Sequence, residues 1–158
     1  MTSMLQRLAD LRRRRADRAF EVLALKTREL REAERLGHEA ERAVDEHVAA
    51  TRVRERVLRA EVAGRTVRPS AILAVGAELD AAALETAKRR EAVARAEAEI
   101  AACRSARAQS VQEFQARERA RDKIDFANRE ETTRQARRDE ALRESEGDDA
   151  LKHAGRPS

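Results

Sequence analysis

The chain has 158 residues and a formal net charge of +4, from 34 basic and 30 acidic side chains. Charged residues make up 41% and aromatic residues 2%, so large apolar side chains are too few to fill a compact globular core, while the near-balance of charge argues against a disordered polyelectrolyte. The single cysteine, Cys103, excludes an internal disulfide and fits a reducing compartment.

Ala, Arg, Glu, Leu and Lys supply about two thirds of the chain, above the roughly 50% that marks coiled coils and long helices. These residues lose little side-chain freedom in a helix. The fold class expected is therefore all-α: a long two-helix antiparallel coiled-coil hairpin with a polar, partly disordered C-terminal tail. Arginine outnumbers lysine heavily, which is read as codon usage, because acids nearly offset it.

The first helix is expected over about residues 3–63. Its opening, Met1–Leu11, runs straight into four arginines with no apolar core of a signal peptide. No run of 18 apolar residues follows anywhere, so no stable membrane insertion is expected. Leu23, Leu30, Gly37, Val44, Thr51 and Leu58 recur every seven residues, a spacing that keeps one stripe against a partner helix. Ala33, Ala40, His47, Val48 and Val62 flank that stripe.

The break comes at "EVAGRTVRPSAILAVG". Gly64 suits the residue just past a helix end, where the left-handed conformation costs glycine little. Arg68 precedes Pro69 and is pushed to an extended conformation, and Pro69 suits the first turn of a new helix. A turn over about 64–69 is expected. Gly76, one turn into the next helix, costs about 1 kcal/mol against alanine and is read as a tolerated weak point.

The second helix is expected over about 70–143. Ile72, Leu79, Thr86, Val93, Ile100, Arg107 and Phe114 again fall every seven residues, with Val75, Ala82, Ala96 and Cys103 three further on. Folding about Thr66 sets Leu58 opposite Ile72, Val44 opposite Thr86, Gly37 opposite Val93 and Leu30 opposite Ile100. Each arm then spans ~90 Å at 1.5 Å per residue. Residues 1–143 form one hairpin domain on this reading. The stretch "DEALRESEGDD", Gly147 and the final "GRPS" mark 144–158 as a disordered tail.

Sites for chemistry are absent. "GRTVRPS" lacks phosphate-loop spacing. His38, His47 and His153 do not share one helical face at the i, i+4 spacing of a zinc site, and Cys103 has no thiol partner. A two-helix hairpin offers no enclosed pocket for a small-molecule substrate. The chain is expected to be a non-enzyme with no cofactor. Positive charge is nonetheless clustered: Arg7, Arg12, Arg13, Arg14, Arg15 and Arg18 stand against only Asp10 and Asp17, and the hairpin lays residues 117–138 beside them. Without Tyr or Trp there is no stacking platform for nucleic acid, so the charge is read first as a solvated basic face and next as a docking end for an acidic protein surface.

Three stretches, "MLQRLADLRRRRADRAF", "GRTVRPSAILAVGAEL" and "ARDKIDFANREE", together with the order long helix, short break, long helix, polar tail, resemble the small central-stalk proteins of type III secretion systems. This is the YscO family, similar to the flagellar export protein FliJ. The resemblance covers about residues 1–145. It implies a two-helix coiled coil at the cytoplasmic base of a secretion apparatus, monomeric when free, that binds a hexameric export ATPase, an export gate protein and, in some members, secretion chaperones; whether the chain is itself exported stays open. On that implication the ATPase would meet the open end of the hairpin, at Arg7, Arg12, Arg13, Arg14, Arg15, Arg18, Arg117, Arg119 and Arg121. The gate or a chaperone would meet the tip, at Val67, Arg68, Ile72 and Leu73. The alternatives are a homo-oligomeric structural coiled coil and a basic nucleic-acid-binding protein.

Overall fold

The computed structural model describes residues 4–154, and the side chains of residues 4–145. Two helices account for nearly all of it: α1 (Met4–Val62) and α2 (Pro69–Ala154), antiparallel and joined by one short turn. The all-α helical hairpin expected from composition is the fold observed.

The turn follows from its residues. The Ala63 N–H donates to the Arg59 carbonyl at 2.9 Å and closes the last turn of α1. Gly64 then takes φ 73°, where a side chain would be strained. Residues 66–68 have no regular structure, and α2 starts at Pro69. The Arg68 carbonyl accepts from Ala71 at 2.9 Å and Ile72 at 3.4 Å, so Arg68 is the boundary residue of α2.

α2 departs from expectation at its C-terminal end. It continues to Ala154, past the expected limit at about 143. Glu144, Glu146, Ala150, Leu151, Lys152 and Ala154 are helix-forming residues in this stretch, and one glycine at 147 costs only about 1 kcal/mol. Residues 155–158 of the expected tail lie outside the described residues.

The chain packs as two units: unit 1, Met1–Leu23 with Ser110–Ser158, and unit 2, Ala24–Gln109. In unit 1, Ala9 and Ala16 are buried on the seam of α1. Phe20 and Phe114 meet with ring centroids 5.6 Å apart, tilted by 53°. Arg13 Nη2 donates to Asp125 Oδ1 at 3.0 Å and ties the two helices.

In unit 2, Ala33, Gly37 and Leu58 are buried, as the seven-residue spacing requires. Polar ties cross between the helices at several levels. Arg54 pairs with Glu78 at 2.6 Å and Arg104 with Glu34 at 3.0 Å. His47 Nε2 lies 3.3 Å from the Ala82 carbonyl, and Arg89 Nη1 donates to the Ala43 carbonyl at 3.4 Å. Arg107 interrupts the apolar stripe as the sequence suggested: it is exposed and its Nε donates to Thr27 Oγ1 at 3.4 Å.

The register needs a correction. His47 sits by Ala82, near its expected level. Gly37, however, meets Ile100 rather than Val93, and Val44 lines a shared surface groove with Val93 rather than Thr86. Both partners lie one heptad along α2 from the expected ones, while Arg54 with Glu78 and Arg89 with Ala43 stay close to the expected pairing. Ile72, expected on the seam, keeps 55% of its surface.

Candidate functional site

Two surfaces carry the residues singled out in the sequence. The first is the basic surface of unit 1, which contains all nine arginines expected at the open end. They are not equivalent. Arg12 falls on the seam side of α1; it is half-buried, and its Nε is buried with no hydrogen-bond partner. Arg13 is tied to Asp125. Arg117 pairs with Glu113 at 2.8 Å, one turn back on α2. Arg121 reaches Asp122 at 2.9 Å and Glu118 at 3.4 Å, and the hydrogen bond to Asp122 chiefly raises its pKa.

The remaining five behave otherwise. Arg7, Arg14, Arg15, Arg18 and Arg119 are exposed and hold no ion pair among the described residues. Side chains 146–158 are not described, so this concerns residues 4–145 alone. Free guanidinium groups attract an acidic partner more strongly than paired ones, since intramolecular pairs already offset their charge. Sequence reading weighted Arg12 to Arg15 alike. Helical phase is what separates them: Arg12 shares the seven-residue stripe of Leu5 and Ala19, which are also half-buried.

The second surface is the turn region of unit 2. Leu73 is 75% exposed, Arg68 is exposed and Val67 is half-buried. Ile72 lines a shallow apolar groove with Leu58, Val62, Val75 and Leu79, of about 260 Å³. Arg59, on its edge, pairs with Glu55 at 2.5 Å. Arg65 and Arg68 nearby are exposed and hold no ion pair among the described residues. The groove residues beyond Ile72 were read as seam, because the spacing of seven gives no sign of where the seam opens near a turn. Val53 and Val57, exposed and four residues apart, lie off the stripe; that offset was visible in the sequence.

No reactive cluster accompanies these surfaces. Among the described residues no group of three His, Cys, Asp or Glu side chains is placed to hold a metal ion, and no helix is long and apolar enough to cross a membrane. Cys103 is half-buried in unit 2. Burial, then Glu99 and Glu29, push its thiol pKa up, leaving it in the poorly nucleophilic thiol form near neutral pH.

No family model matches the sequence, and no curated protein matches it. The fold, by contrast, has a solved counterpart. A structure of a YscO homolog from Chlamydia trachomatis superposes with a TM-score of 0.77 at 22% sequence identity, covering 98% of this chain and 94% of the other. The two proteins share their fold over almost their whole length.

Proposed function

We propose that this chain is a stalk component of a type III secretion export apparatus. Unit 1 binds the hexameric export ATPase through its unpaired arginines, and the turn region of unit 2 contacts the export gate or a secretion chaperone through Val67, Arg68, Ile72 and Leu73. The work is mechanical and recognitional, carried out on the cytoplasmic side of the apparatus, with no cofactor and no small-molecule substrate. The observation that carries this reading is the fold, an alanine-seamed helical hairpin matched along its length by that of a YscO homolog. The two surfaces add chemical support. Free cations speed and orient encounter with an acidic partner, while an apolar groove gains from desolvation once a partner covers it.

The test uses the secretion ATPase encoded by the same genome. The chain should bind it, promote its hexamer and raise its turnover, with affinity that falls as salt rises. Replacing Arg7, Arg14, Arg15 and Arg18 with Gln should preserve helicity while weakening binding and flattening its salt dependence. Val67→Asp with Ile72→Asp should spare the ATPase and impair contact with the cytoplasmic domain of the export gate. Absence of any complex between the wild-type chain and the ATPase would remove this function.

A further inference from the structure

The seam of α1 faces α2, but a second stripe on the same helix is left exposed among the described residues. In unit 1, Met4, Arg7, Leu11, Arg14, Arg18 and Val22 succeed one another at intervals of three or four residues, so they lie along one helical face. All six are exposed, the apolar three at 88%, 43% and 49%. None of the arginines holds an ion pair among the described residues. The acids of this stretch are Asp10, Asp17 and Glu21. Each immediately precedes a stripe residue, so the three flank the stripe along one edge, within a turn of its arginines but without an ion pair to them among the described residues. The stripe itself is free of acid for about 27 Å at 1.5 Å per residue.

We infer that this stripe is the docking face of unit 1, and that its occupant is a protein groove with an apolar floor and carboxylate rims. The inference rests on the proposed ATPase reading and deepens it by naming the face and the chemistry that meets it. Leu11 and Val22 are the anchors, set three turns apart, and the arginines between and beside them supply the matching charge. The interleaving decides the kind of partner. A helix lying on a lipid surface segregates its cations from its apolar face, whereas here both alternate along one line. A nucleic acid would need rings for stacking, and this stripe has none. A groove between two helices, apolar inside and acidic at its edges, matches the pattern residue by residue.

The same purified ATPase serves as the probe. Leu11→Ala with Val22→Ala should retain wild-type helicity, since alanine is the better helix former. It should nonetheless weaken ATPase binding by about tenfold or more, as truncated anchors do, without changing the salt slope. Arg7→Gln with Arg14→Gln and Arg18→Gln should lower both affinity and slope. Leu84→Ala, at an exposed apolar position of unit 2, is the control and should bind as wild type does. If the wild-type chain binds the ATPase and the Leu11/Val22 variant binds equally well, the stripe is not the docking face, although the proposed function stands. If the wild type does not bind at all, that function falls and the inference with it. If the Leu11/Val22 change instead abolishes sedimentation with phosphatidylserine-containing vesicles and leaves ATPase binding intact, the stripe is a lipid face and the inference is overturned.

Discussion

Unit 1 and unit 2 are built from the same two helices and the same alphabet, yet they spend their charges differently. In unit 2, Arg54, Arg89, Arg104 and Arg107 all reach across to α1 or α2, onto carboxylates, a carbonyl or a hydroxyl. In unit 1 a single arginine, Arg13, makes such an ion pair among the described residues; Arg12 lies half-buried on the seam side, and others pair along their own helix or stand exposed. The burial differs too. Unit 1 buries Ala9 and Ala16, while unit 2 buries Leu58 along with Ala33 and Gly37. The difference lies in how the helices are tied: among the described residues cross-helix polar ties and the buried Leu58 gather in unit 2, whereas unit 1 relies on small seam residues, one ring contact and the Arg13 pair.

The strongest way to break that contrast is at Leu58, 4% exposed. Leu58→Ala should cost about 2–3 kcal/mol, the transfer and cavity loss of a buried leucine. Hydrogen exchange should show the loss of amide protection concentrated in unit 2. Equal loss in both units would mean that they unfold as one body. Next comes Gly37, where an added Cβ would lie 2.7 Å from Ile100 Cδ1. Gly37→Leu should cost about 1–3 kcal/mol through overpacking, and Ile100→Ala in the same chain should recover part of it. A double-mutant cycle in thermal unfolding measures that coupling.

Unit 1 offers a change in the opposite direction. Arg12→Met keeps a long apolar stem on the seam and removes the buried Nε donor that lacks a partner. It should stabilise the chain by about 1 kcal/mol, read as a higher urea midpoint with unchanged slope. The smallest effect concerns acid. Arg54 holds the Glu78 carboxyl below its usual range, chiefly through their hydrogen bond, and Arg35 does the same to Glu32. A depressed carboxyl pKa adds stability above the unfolded value and loses it as pH falls through the folded value. Below about pH 4, unit 2 should therefore lose part of its stability, and Glu78→Gln should slightly reduce that acid dependence. The effect is small because both partners are exposed.

The helices, the turn and the membership of the seam were legible in the sequence, because a spacing of seven and one glycine–proline break express them directly. Register was not. Antiparallel seams of small residues accept a slide along each other with little change in packing, and Ile100 over Gly37, a contact between residues 63 positions apart, marks the observed pairing there. The continuation of α2 beyond 143 was missed because charge patterning suggested disorder where helix propensity prevailed. In the candidate site, the cluster of nine arginines was visible as a cluster. Their sorting into seam, paired and free groups was not, since it depends on the phase of α1 and on which carboxylates α2 brings near.

The alanine seam has a consequence for descent. A buried leucine or aromatic ring demands a partner of complementary shape, and that demand leaves a recognisable trace in sequence. A seam that buries Ala9, Ala16, Ala33 and Gly37 demands of those positions only that the side chain be small, and the outward faces demand only that they be polar and helix-forming. Serine or glycine meets the first condition in passing, and any mixture of arginine, glutamate, lysine and glutamine meets the second. A lineage carrying this hairpin is therefore free to exchange most of its letters one at a time without leaving the fold. The shape is inherited as a spacing rule, and it persists after residue-by-residue likeness has worn away.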